Sequence, residues 1–140
     1  MIQPLIAHLT VMQPDWAPWL NALVLLWALM LGHAIADFPM QGEFLAIGKN
    51  RHGNLSAVTG GHQWPASIWI YCLTIHSMVQ AAAVWLVTGS VILSVVEFVL
   101  HWLIDLAKNE KLTGFYSDQA LHFVCKVAYA SLVLFGISLF

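Results

Sequence analysis

Four long runs of apolar residues dominate this 140-residue chain, over about residues 19–38, 65–87, 91–107 and 118–139. Each is close to the roughly 20 residues that a helix needs to cross the hydrocarbon of a bilayer. The runs are continuous rather than alternating, which sets aside the strand pattern of a membrane barrel. Helices satisfy their own backbone polar groups in lipid, so the runs predict four spanning helices. Only 9 % of residues are charged, against roughly 25 % in a soluble domain. So few charges do not make a water-facing surface. The expected fold class is all-α, an integral membrane four-helix bundle.

The breaks between the runs are plain. Pro39 and Gly42 end the first, and GKNRHGNLSAVTGGHQWP forms a polar, Gly-rich loop, with Pro65 suited to the first turn of the next helix. Thr88, Gly89 and Ser90 predict a tight turn, and KNEKLTGFYS links the last two helices. Glu43 to Ile47 predicts a short interfacial turn of helix. Residues 1–18, with three prolines and no Lys or Arg, predict an interfacial or poorly ordered arm rather than a secretory signal peptide. Cys72 and Cys125 both lie in apolar runs and read as reduced packing thiols.

Basic residues set the expected orientation. Lys49 and Arg51 occupy the first loop, Lys108 and Lys111 the third, and neither the arm nor the 88–90 turn carries any. The positive-inside rule places both basic loops in the cytoplasm and both termini outside. Lys126, two turns into the last helix, is expected to snorkel to the same face. The tryptophans at 16, 19, 64, 69, 85 and 102 fall mostly near helix ends, as an aromatic belt. The net charge of −2, with no basic run, argues against nucleic acid as a partner.

The informative residues are polar ones in these apolar runs. His33 and Asp37, His101 and Asp105, and Asp118 and His122 each stand four residues apart, which puts both side chains of a pair on one helix face. Random placement of the seven His and the Asp residues would yield about 0.4 such pairs at this spacing. With the topology above, all three pairs reach the cytoplasmic end. The second helix adds Cys72, His76 and Gln80, with His76 expected deeper than the rest.

Imidazole and carboxylate together suit zinc, manganese or iron(II). The expected metal ligands are His33, Asp37, His101, Asp105, Asp118 and His122, holding one ion or two. Glu97 or His76 would move protons. Lys108 and Lys49 would attract an anionic substrate, and Gln41 and Gln119 would orient groups by hydrogen bonding. A competing structural reading makes each pair a hydrogen-bonded dyad fastening helices, with Asp118 favoured at a helix N-terminus behind Ser117 as N-cap. His8, His52 and His62 lie in the arm and first loop, outside this set.

The order H-x3-D-F-x2-Q, a loop lysine, a mid-chain histidine, H-x2-I-D-x2-K and D-Q-x2-H resembles the small bacterial and phage membrane proteins filed as domain of unknown function 3307. The matching positions are His33, Asp37, Phe38, Gln41, Lys49, His76, His101, Ile104, Asp105, Lys108, Asp118, Gln119 and His122. The resemblance implies a multi-pass membrane protein and no particular activity. The H-x3-D pattern also resembles, more loosely, inner-membrane proteins described as metal-dependent hydrolases.

The expected function is a membrane-embedded metal-binding protein acting as a metal-dependent hydrolase on an amphiphilic or anionic substrate, such as a lipid-like one, at the cytoplasmic face. The lipid bilayer and a second copy of the chain are the other expected partners. Two alternatives stand beside it. One is a proton or divalent-metal transporter, disfavoured by an apolar outer half. The other is a non-catalytic membrane partner or regulator, in which the dyads only lock the bundle.

Overall fold

A computed structural model describes residue 13, residues 15–135 and residue 137. Among these, the chain is all-helical, with six helices and no strand: α1 (Pro18–Asp37), α2 (Gly42–Gly48), α3 (Leu55–Val58), α4 (Ile68–Thr88), α5 (Val91–Asn109) and α6 (Phe115–Leu134). Most of the expected N-terminal arm, His8 included, lies outside the described residues.

The four long helices run up and down and close into a ring. α1 packs on α4, α4 on α5, α5 on α6 and α6 back on α1, while the backbones of the diagonal pairs stay apart. The turn between α4 and α5 is tight because Gly89 takes φ 72°, a left-handed conformation that costs glycine little. Ser90 then caps α5, its side chain accepting from the backbone N–H of Leu93. The longer connections, 38–67 and 110–114, therefore share the opposite end of the ring, here called the loop end.

Three local expectations are corrected. α6 begins at Phe115, and Asp118 N–H already donates to Gly114 O at 3.0 Å, so Ser117 lies inside the helix and is not its cap. α4 begins at Ile68, whose N–H donates to Pro65 O at 3.0 Å, so Pro65 sits in the turn before the helix. The loop expected between residues 48 and 65 contains the short helix α3, capped by Asn54.

The ring is apolar outside and, toward the loop end, polar inside. α5 shows it best: Glu97, His101, Asp105 and Asn109, each four residues apart, are buried, whereas Val91, Ile92, Val95, Val99 and Leu103 are exposed. α6 repeats the pattern with Asp118, His122 and Lys126 inside and Phe123 and Val124 outside. Leu23, Trp27, Leu31, Ile75, Met78 and Leu86 are exposed on α1 and α4. Charged residues are almost never fully buried in soluble proteins unless paired. Away from the loop end the interior turns apolar, where Leu25, Leu29, Val84, Leu93 and Tyr129 form the packed core. α1 and α4 are long and apolar enough to cross a membrane by length and composition.

α2 and α3 fold over the loop end. Gly48 lets α2 approach α4 closely, since a Cβ there would stand 2.8 Å from Cys72 Sγ. Asn109 Nδ2 donates to Lys49 O at 2.9 Å. These contacts fix where Lys49 enters the bundle. Both cysteines are free.

Candidate functional site

The three His/Asp pairs meet inside the ring near the loop end. α1 delivers His33 and Asp37, α4 delivers His76 and Gln80, α5 delivers Glu97, His101 and Asp105, and α6 delivers Asp118 and His122. His33, His76, Glu97, His101, Asp105, Asp118 and His122 are at most 4 % exposed. The periodicity explains the convergence. Each helix turns a single polar stripe to the interior, and four such stripes fill a small volume.

Asp37 is the hub on α1. Its Oδ1 lies 3.1 Å from His76 Nε2 and accepts from Gln80 Nε2 at 3.0 Å, and its Oδ2 accepts from Gln119 Nε2 at 3.2 Å. His76 Nε2 also stands 3.1 Å from His101 Nε2 and 3.5 Å from Asp105 Oδ2. His101 Nε2 lies 3.7 Å from Asp105 Oδ2 and 4.0 Å from Asp37 Oδ1. On the other side of Asp105, its Oδ1 is 3.6 Å from His122 Nε2, which is 3.7 Å from Asp118 Oδ1. His76 was expected deeper than the pairs. It stands level with them because α4 begins at Ile68.

Buried polar atoms without hydrogen-bond partners point inward. Gln80 Nε2 must face the Asp37 carboxylate, which only accepts, so Gln80 Oε1 faces His33 Nδ1 at 3.1 Å. Nδ1 therefore carries the ring proton, and Nε2 of His33 presents a lone pair. That nitrogen is buried, has no hydrogen-bond partner and lies 3.8 Å from Asp37 Oδ2. His122 Nε2 and Asp118 Oδ1 are buried and unpartnered as well. An unsatisfied buried acceptor costs roughly 1–3 kcal/mol, and a cation removes that cost. Ligands of one tetrahedral ion with bonds of 2.0–2.2 Å stand roughly 3.3–3.6 Å apart. The donor separations above bracket that range. Three overlapping groups have ligand atoms within 4.8 Å of one another: Asp37, His76 and His101; Asp105, Asp118 and His122; and His33, Glu97, His101 and His122.

In the last group Glu97 is already engaged. Its Oε1 accepts from Lys126 Nζ at 2.6 Å and its Oε2 from Tyr129 OH at 3.0 Å. Lys126 does not snorkel to the loop end, as its charge suggested. It is 1 % exposed and points inward to Glu97. Buried partnership outweighs the route to water because Glu97 would otherwise be a bare interior charge. Sequence reasoning also missed Tyr129 and the double role of Gln80. The signals were Lys126 four residues after His122 and Gln80 four after His76.

The cluster opens at the loop end into a cleft of about 330 Å³ lined by Asp37, Phe38, Gln41, Ala46, Lys49, Asn50, Lys108, Asn109, Phe115 and Gln119. Lys49 Nζ donates to Asp105 Oδ2 at 2.6 Å and to Gln41 Oε1 at 2.5 Å. Lys108 Nζ donates to Asp118 Oδ2 at 2.8 Å and lies 3.8 Å from Asp105 Oδ1. Two ammonium groups thus stand between the carboxylates and the cleft. Exposed Phe38 and Phe115 make the apolar part of the rim. His52 pairs instead with Glu110 on the exterior, and His62 stacks edge-on against Trp64.

Against known proteins, the family model described as protein of unknown function (DUF3307) matches residues 25–139. The chain belongs to the DUF3307 family. The match takes in the whole interior cluster, from His33 to Tyr129, and the cleft before it. No curated protein and no solved structure matches this DUF3307 chain.

Proposed function

We propose that this DUF3307 protein is a metal-dependent hydrolase that crosses the bacterial inner membrane four times and acts at the cytoplasmic face on an anionic, lipid-like substrate. The observation that carries the proposal is the set of unpartnered buried donors, His33 Nε2, His122 Nε2 and Asp118 Oδ1, beneath a cleft flanked by Lys49 and Lys108. A bound divalent ion would lower the pKa of its water to about 7 and supply a nucleophile. His33, Asp37, His76, His101, Asp105, Asp118 and His122 would hold metal. Glu97 would steady His101 from behind, and Gln41 and Gln119 would hold Lys49 and Asp37 in place.

The membrane reading is supported by the surface, apolar without on all four long helices while the polar residues gather within, toward the loop end. α5 and α6 keep their charges on the interior face, where lipid does not reach them. The Lys49 and Lys108 loops then take the cytoplasmic side. The substrate meets the cleft at headgroup depth, with Phe38 and Phe115 toward the acyl chains. Transport is the weaker reading, because the core around Leu25, Leu29, Val84 and Leu93 closes the interior beyond Glu97. The dyad reading draws on the Lys49–Asp105 and Lys108–Asp118 ion pairs, which fasten helices without any ion.

Protein purified in mild detergent tests the proposal by elemental analysis, with Asp105→Ala and His122→Ala alongside. Stoichiometric metal in the wild type, reduced in both variants, is expected, together with metal-dependent cleavage in a panel of lipid phosphates and esters. Metal-free wild type, with variants that remain folded, leaves the dyad reading.

A further inference from the structure

Apart from His33 and Glu97, the donors fall into two sets that share one carboxylate. His76 Nε2, His101 Nε2 and Asp37 Oδ1 gather on the Oδ2 side of Asp105, with both nitrogens within 3.7 Å of that oxygen. His122 Nε2 and Asp118 Oδ1 gather on its Oδ1 side, with His122 Nε2 at 3.6 Å. A carboxylate offering one oxygen to each of two donor sets is the usual bridge between paired ions, which stand about 3.5–4 Å apart in two-metal hydrolytic sites. The first set has four donors. The second has three and keeps a position for water or substrate, as catalytic sites do.

Charge then selects the substrate. Asp37, Glu97, Asp105 and Asp118 face Lys49, Lys108 and Lys126 in the same interior. With neutral histidines this leaves one net negative charge. Uncompensated charge is costly in a low-dielectric interior. One divalent ion with a bound hydroxide makes the cluster neutral and leaves nothing to attract an anion. Two divalent ions with one hydroxide leave two positive charges, which a dianion neutralises and a monoanion does not.

We propose that the cluster holds two divalent ions bridged by Asp105 and that its substrate is a phosphate monoester in its dianionic form, an assignment that rests on the hydrolase reading above. The reaction is R–O–PO3(2−) + H2O → R–OH + HPO4(2−). The water oxygen bonds to phosphorus, the bond from phosphorus to the ester oxygen breaks, and its electron pair leaves with that oxygen. One water proton ends on the alcohol and the other stays on phosphate. Lys108 and Lys49, at the cleft, hold the non-bridging oxygens.

The test uses full-length protein in detergent, loaded with Mn²⁺. Two ions per chain and an exchange-coupled paramagnetic resonance spectrum are expected, with one ion each in His76→Asn and Asp118→Asn. One ion per wild-type chain with an isolated six-line signal overturns the paired site and leaves the hydrolase reading standing. No metal at all overturns both. Methyl phosphate should bind the loaded protein at least ~10-fold more tightly than dimethyl phosphate, by the charge argument above. Equal affinity overturns the substrate class. Phosphate release from vesicles of phosphatidic acid and phosphatidylcholine, but not from glycerol 3-phosphate, supports the class and gives a lipid source. Release from both supports the class with a soluble source. Cleavage of a phosphodiester alone overturns it.

Discussion

Lys126 Nζ lies 2.6 Å from Glu97 Oε1, and both side chains are 1 % exposed. Glu97 is eight residues from Asp105 along α5, about 12 Å deeper. The pair closes the polar interior where the apolar core begins. Removing one partner of such a pair leaves a bare charge and costs roughly 3–5 kcal/mol. Lys126→Met should therefore destabilise the bundle by about that much. Glu97→Gln combined with Lys126→Met should recover at least half, because the new amide oxygen can still accept from the Tyr129 hydroxyl. Denaturant unfolding in detergent measures both, and a double variant no better than the single one would contradict the bare charge of Glu97 as the source of the cost.

Gln80 fixes the tautomer of His33 through one amide group. Gln80→Leu removes the acceptor for His33 Nδ1 and a donor to Asp37 at once. Outer partners of metal ligands typically set affinity by 10–100-fold. Metal competition with a fluorescent chelator should show a loss of about 10–100-fold with the helix content unchanged. Undiminished affinity would mean that His33 is not held by Gln80 for metal.

Lys49 reaches the site only because Gly48 and Asn109 dock the α2 end onto the bundle. A hydrogen bond to a charged group is worth about 1.5–3 kcal/mol. Lys49→Ala should therefore raise KM for an anionic substrate by ~10-fold or more, with metal content retained. Steady-state kinetics separates this from a lost metal, which would lower kcat as well.

The inverted surface makes a prediction for the exterior. Val99 is 48 % exposed on the face of α5 opposite Glu97. If lipid covers it, Val99→Arg costs about 2.5–3.5 kcal/mol of insertion free energy at the helix centre. Membrane-integrated yield should fall sharply, whereas a water-facing site would tolerate arginine.

Topology is testable by labelling. Gln63 and Leu112 lie at the loop end and Val91 at the opposite end, and all three are exposed. In intact cells an impermeant maleimide should label Val91→Cys and spare Gln63→Cys and Leu112→Cys. The reverse pattern would put the cleft on the outer face.

Period and composition alone put the starts of α1 and α5 within one residue and each His/Asp pair on one helix face. This was legible because helical spacing is a local property. The start of α6 was misjudged because Asp118 suits a helix N-terminus, yet the chain takes one more turn from Phe115. Lys126 was misread because charge alone favours water. Only the partner across the ring, Glu97, makes the interior the better place.

The sequence by itself determined that four apolar helices carry polar stripes at one end, because hydropathy and four-residue spacing are written along each segment. Which stripe atoms meet was decided by the tertiary structure. The ring order sets Asp37 against His76, joins His76 to His101 and places Asp105 between two donor sets. Those distances arise from packing between helices distant in sequence, and no single helix encodes them.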